Sequence, residues 1–203
     1  MKLYYMPGAC SLATRISLHE VGRDVDAIRV DNDTKTTEFG EDFLSINPLG
    51  YVPVIQFDNG ALLTENSAIL AYFADIEPDR LGGTNAIERA RINEALGFLS
   101  SELHNAFGPL FHGVEGAARD KAIASLNLRI DHVERLLQDG REFLLGNEFT
   151  VADPFAFVIL NWTKKFGLSL ADWPNTQAFM ARMARRPSVM QSMEEEGLLQ
   201  AAA

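Results

Sequence analysis

The sequence predicts a small α/β domain over residues 1–77, a linker over 78–84 and an all-helical domain over 85–203. Strand-like and helix-like patterns alternate through residue 75, in the order β-α-β-α-β-β-α. "IEPDRLGGT" (76–84) then gathers turn-forming residues into one stretch. Beyond it the apolar residues recur at helical spacing throughout.

"KLYY" is short and rich in β-formers, and reads as the first strand. A helix follows from about Ser11 to Val21, with Leu12 and Ile16 at helical spacing and Gly22 as its stop. "DAIRV" (26–30) reads as the second strand. "GEDFLSINP" (40–48) reads as a short helix that ends before Pro48, because the residue preceding a proline avoids the α region. "VPVIQFDNGALLT" (52–64) gives two strands joined at Asp58-Asn59-Gly60, where Asn-Gly tolerates positive φ at both residues. "ENSAILAYFAD" (65–75) closes the block as a helix with Ile69, Leu70 and Phe73 on its apolar face.

Residues 85–111 read as one long amphipathic helix that ends near Gly108-Pro109, and 117–138 as a second that stops at Gly140. "FTVADP" opens a third. Thr150 as N-cap and Asp153 three residues on form a capping box, with Asp replacing the usual Glu, and Phe149 and Phe155 lie near staple positions. Two further helices, about 175–185 and 188–197, are separated at Arg186-Pro187.

A net charge of −10 excludes the basic patch that nucleic acid or an anionic membrane surface requires. The one tight acidic run, Glu194 to Glu196, reads as a solvated face. A single cysteine excludes an internal disulfide, and the four histidines show no ligand spacing, so no metal site is expected. No apolar stretch approaches the roughly 20 residues that span a bilayer. The start "MKLYYMPGA" lacks the apolar core of a signal peptide, so the chain reads as cytoplasmic.

Three local features point to chemistry. Pro53 is a misfit inside a strand run; a cis peptide there would leave the N–H and C=O of Val52 free for an added strand, and a plain edge strand is the alternative. "TENSA" (64–68) opens a helix whose first-turn N–H groups, with Asn66 and Ser67, suit a carboxylate; a plain N-cap is the alternative. Cys10 and Ser11 open the first helix, with Tyr5 at the end of the preceding strand. A helix N-terminus favours the thiolate, so the Cys10 thiol is expected to titrate below its ordinary value, unless it is a small buried hydrophobe. A ligand with a peptide backbone and a carboxylate suits all three places.

The segments "KLYYMPGACS", "KTTEFGEDFLSINPLGYVPVIQFDNGALLTENSAILAYFAD", "SSELHNAFGPLF" and "FTVADPFAF" give the chain its family likeness. It resembles the soluble glutathione transferases, most closely the bacterial beta class, over essentially its whole length. The resemblance implies a thioredoxin-like domain joined to a helical domain, a homodimer, and glutathione as co-substrate with no further cofactor. It implies a cis Val52-Pro53 bond, with Val52 holding the cysteinyl backbone and Glu65, Asn66 and Ser67 the γ-glutamyl end. Lys35 and Tyr51 would flank the tripeptide, and Cys10, Ser11 and Tyr5 would surround its sulfur. Ser101 and His104 would reach the site from the partner subunit. Met6, Leu110, Phe111 and Trp162 would line a pocket for a small hydrophobic electrophile. Asn66 stands where family members often carry glycine or serine, and Gly97 and Asn105 where some carry asparagine and lysine.

Two functions suit such a chain. One is an enzyme that adds the glutathione thiolate to electrophiles, with glutathione-dependent disulfide reduction through Cys10 as related chemistry. The other is a non-catalytic protein that binds glutathione or hydrophobic ligands on the same fold.

Overall fold

The structure, a computed structural model, describes residues 1–199. Residues 200–203, the end of the expected helical domain, lie outside the described residues. Four strands, β1 (Lys2–Tyr5), β2 (Asp26–Arg29), β3 (Val54–Gln56) and β4 (Leu62–Thr64), form one sheet in the order β2-β1-β3-β4. β1 runs parallel to β2 and antiparallel to β3, which is antiparallel to β4. Among the described residues there are eight α-helical segments: α1 (Ser11–Glu20), α2 (Asn66–Ile76), α3 (Ala86–Phe98), α4 (Gly108–Phe111), α5 (Gly116–Leu137), α6 (Ala152–Lys165), α7 (Pro174–Ala184) and α8 (Pro187–Glu195). No described helix is long and apolar enough to cross a membrane.

Successive strand residues face opposite sides of the sheet, and two apolar clusters result. Leu3 and Ile55 join α1, α2 and the helical half in the larger cluster. Tyr4, Ile28 and Val54 turn the other way, onto Val30 and Phe43. α1 is buried from Ser11 to Leu18, because the sheet covers one side and α6 and α8 cover the other. The first helix is thus shared by both halves of the chain. The stretch read as a linker is also packed: Leu81 is fully buried, and its carbonyl accepts the N–H of Val151 at 3.0 Å.

Four local expectations are corrected. Positive φ occurs at Gly60 but not at Asn59. The turn instead closes through Gly60 N–H to Phe57 O (2.8 Å), while the Asn59 side chain accepts from Ala61 N–H (3.0 Å). The helix expected over 40–48 is a single 3-10 turn, Phe43–Ser45, because Asp42 caps it at once and Pro48 stops it. The helix expected over 85–111 is interrupted: a π-helical turn, Leu99–His104, follows α3, and Gly108-Pro109 opens α4 rather than ending a helix. The capping box is present although α6 is bounded one residue later: Thr150 Oγ1 accepts from Ala152 N–H (3.3 Å), Asp153 Oδ2 accepts from Thr150 N–H (2.7 Å), and the Asp153 carboxylate serves further donors as well. Phe149 meets Phe143 edge-on at 5.7 Å instead of stapling to Phe155.

Candidate active site

The Pro7-Gly8 turn carries the chain from β1 into α1, and Gly8 takes φ +71°, which suits glycine. Its N–H donates to Glu196 Oε2 (2.9 Å), and its carbonyl accepts the indole N–H of Trp162 (2.8 Å). The helical half therefore fixes this loop at both main-chain atoms. Cys10 sits at the mouth of α1. Burial pushes its thiol up to about 12, outweighing the local N–H that favours the anion. The expected low thiol pKa is thus corrected: the helix terminus is present, but desolvation decides.

Ser11 is fully buried, and its hydroxyl lies 3.3 Å from both the N–H and the carbonyl of Met6, so it is committed to the main chain. Tyr5 is covered on one face by the Arg15 guanidinium, 4.2 Å from its ring centre. Arg15 in turn is buried and paired with Glu195 (2.9 Å) and Glu196 (3.2 Å).

A second wall forms where β3 begins. Val52-Pro53 is cis, and the sheet ladder starts only at Val54. Among the described residues, the N–H and C=O of Val52 enter no hydrogen bond. Nearby, Lys35 Nζ donates to Gly50 O (3.1 Å) and Asn32 Oδ1 (3.2 Å), and Tyr51 is 68% exposed.

At the start of α2, Glu65 takes φ +67° and ψ +113°, a conformation unfavourable for a side chain with a Cβ. It turns the chain so that the helix opens at Asn66. Thr14 Oγ1 donates to Asn66 Oδ1 (3.0 Å), which orients the amide. Asn66 Nδ2 and Ser67 Oγ are buried without a partner. Two polar groups and a helix N-terminus thus converge with their bonding capacity unused.

A third wall is aromatic. Trp162 meets the His104 ring at 5.2 Å, Phe107 at 5.6 Å and Phe111 at 5.1 Å. Through Trp162, which is bonded to Gly8, the His104 ring is held near the Pro7-Gly8 turn of its own chain. Burial lowers the pKa of His104 and keeps its imidazole neutral at physiological pH. Ser101 is exposed, and its hydroxyl donates to Gly97 O (2.9 Å). Of the four expected pocket residues, Trp162 and Phe111 share this wall. Leu110 is buried and packs in the larger apolar cluster. Met6 packs beside the second apolar cluster with Val52.

Sequence reasoning missed Arg15 and Glu196. Glu196 is 7% exposed, so the acidic run is not a solvated face throughout. An arginine in the middle of an otherwise buried helix was the available signal, because buried guanidinium demands a carboxylate. Among the described residues no cluster could hold a metal ion.

Models of the glutathione S-transferase N-terminal and C-terminal domains match residues 8–76 and 89–187. The glutathione S-transferase GstA of Escherichia coli O157:H7 is 40% identical over 201 residues, covering 98% of this chain and all of that protein. A sphingomonad glutathione S-transferase complexed with glutathione superposes with a TM-score of 0.91 at 40% identity, over 98% of this chain and 100% of that one. The bacterial beta-class enzyme of Sphingomonas chungbukensis does so with 0.91 at 42%, over the same shares.

Proposed function

This chain belongs to the glutathione S-transferase family, and on that premise we propose how it holds glutathione and transfers its sulfur. Full-length likeness to named transferases supports catalysis over the alternative of an idle binding protein. The unpaired Asn66 amide and Ser67 hydroxyl at the N-terminus of α2 are the observation that carries the binding mode. A γ-glutamyl carboxylate laid there satisfies both, together with the first-turn N–H groups. The cysteinyl backbone pairs with the free N–H and C=O of Val52 beside Pro53. Lys35 bonds only neutral acceptors, so its charge is available to the glycyl carboxylate beside Tyr51.

The tripeptide's sulfur then lies at the mouth of α1. The Cys10 thiol is held protonated at neutral pH by burial. It therefore serves as a weak S–H donor to the glutathione thiolate, and the α1 terminus adds partial positive charge. Neutral His104 accepts the proton that glutathione loses. The thiolate forms a C–S bond at the electrophilic carbon, and the leaving group departs with its bonding pair. Disulfide exchange needs a Cys10 thiolate, so conjugation is the favoured reaction.

We infer a homodimer from Leu62, Tyr72 and Ile87, large apolar side chains left exposed on β4, α2 and α3. The chain works in the cytoplasm, where glutathione is plentiful.

Ser67→Ala tests the binding mode. The hydroxyl has no partner to lose, so the melting temperature should not fall. The glutathione Kd, read by titration calorimetry, should rise about tenfold, because a hydrogen bond to a charged group contributes ~1.5–3 kcal/mol. Unchanged affinity would refute the carboxylate site. Absence of turnover with glutathione and any chloronitroarene would refute the transferase reading itself.

A further inference from the structure

Phe111 is 45% exposed, yet its ring is held by aromatic neighbours. Trp162 meets it edge-on at 5.1 Å and Phe166 at 5.0 Å. Lys165 Nζ stands 4.9 Å over its centre. Arg119 reaches the same place, with Nη2 donating to the Phe166 carbonyl at 3.1 Å. Among the described residues neither cation enters an ion pair. In a chain of net charge −10, two cations outside any ion pair stand at one aromatic mouth, where they favour an anion. The platform is tied to the reacting end of the cleft, because Trp162 bonds Gly8, two residues before Cys10.

Resting on the transferase reading, we propose that the second-substrate site selects aromatic electrophiles carrying an anionic group, such as a ring carboxylate. The aryl ring stacks on the Phe111–Trp162 wall, and the anion faces Lys165, with Arg119 adding to the field. Lys165 is exposed and flexible, so it receives the anion without a rigid pocket. Stacked on Phe111, the ammonium keeps donors directed outward to the ligand. For a chloroarene the step balances simply. Glutathione's thiol gives up its proton, its sulfur bonds the ring carbon, and chloride leaves with the C–Cl electron pair. The carboxylate is untouched and fixes the orientation of the ring.

The test uses the full chain and a matched pair of electrophiles, a chlorodinitrobenzoate and its carboxamide, which differ in charge and little else. The wild type should favour the carboxylate in kcat/KM. Lys165→Gln should lower the carboxylate-to-carboxamide ratio about fivefold, the upper range for an exposed ion pair. Lys165→Glu should lower it further, Lys165→Arg should restore it, and added salt should erode the preference. A ratio unmoved by charge reversal would overturn the proposal. The same pair titrated against tryptophan fluorescence without glutathione reads binding alone. If the wild type turns over neither compound, the transferase reading fails, and fluorescence decides the anion site separately. A carboxylate preference lost in Lys165→Glu upholds that site, and no preference overturns it.

Discussion

Glu65 keeps a side chain where the backbone suits glycine, with φ +67°. Such a residue costs of order 1–3 kcal/mol unless the surroundings or a ligand use it. Its neighbours explain the expense: the turn brings Asn66 and Ser67 to the open end of α2. Glu65→Gly should therefore raise stability by about 1 kcal/mol, after the extra freedom of glycine in the unfolded chain is subtracted. That is a gain of about 2–4 °C in Tm for a chain of this size. Glutathione affinity should fall in the same variant, because the Glu65 carboxylate is gone and the freer glycine backbone no longer fixes the turn that presents Asn66 and Ser67. Thermal melts with and without glutathione separate the two effects. Cys10 shows the opposite balance. Its helix terminus favours a thiolate, but burial costs more than that favour returns.

Asp153 joins three segments. Its Oδ1 accepts from Leu144 N–H (2.8 Å), and its Oδ2 accepts from Thr150 N–H (2.7 Å) and Thr150 Oγ1 (3.1 Å). Thr150 Oγ1 in turn accepts from Ala152 N–H (3.3 Å). The group is more than a cap: it ties the 144–150 loop to the first turn of α6, and all of it is buried. Asp153→Ala leaves two main-chain donors and a hydroxyl in a dry site. Each buried unsatisfied donor costs ~1–3 kcal/mol, so a loss of about 3 kcal/mol is expected rather than the ~1 of an ordinary cap. Denaturant titration reads the loss, and the glutathione Kd measured under folding conditions should stay at its wild-type value.

At the scale of the molecule, α1 is laced to α8. Arg15 pairs with Glu195 and Glu196, His19 Nδ1 meets Ser192 Oγ at 2.8 Å, and Glu20 binds Arg186 and Ser188. Gly82 is pressed onto α2 so closely that a Cβ there would lie 2.1 Å from Ala74 O. Burial raises the Glu196 carboxyl to about 7 from an ordinary 4.5, despite the opposing pull of Gly8 N–H and Arg15. Arg15 from α1 and Glu195 from α8 are the charged groups acting on it, and His19 faces Glu195. The folded chain therefore binds this proton more tightly than the unfolded chain does. Stability from this group falls as pH rises from about 4.5 to about 7, and is constant outside that window. Asp153, raised to about 6 from 3.8, acts in the same direction at lower pH. Glu196→Gln has nothing to titrate and keeps an oxygen for Gly8. The Tm of wild type minus that of the variant should decline by a few degrees across the window; a flat difference would refute the assignment.

The sequence by itself determined the strands and most of the helices, and its motifs carried the family resemblance. The elements rest on local rules: β-formers in β1, glycine at Gly22 and Gly140, the Val52-Pro53 misfit and the helix opening at Asn66. Their signals lie within a few residues of one another, so a linear reading finds them. What only the tertiary structure decided involves groups far apart in the chain. The protonation of Cys10 depends on what covers it, and the place of the His104 ring depends on Trp162 meeting Gly8. Leu110 was buried in the larger apolar cluster, Ser11 was claimed by Met6, and Glu196 was drawn from an apparently solvated run onto Arg15. Desolvation is a property of everything that surrounds a group, and no spacing along the chain encodes it.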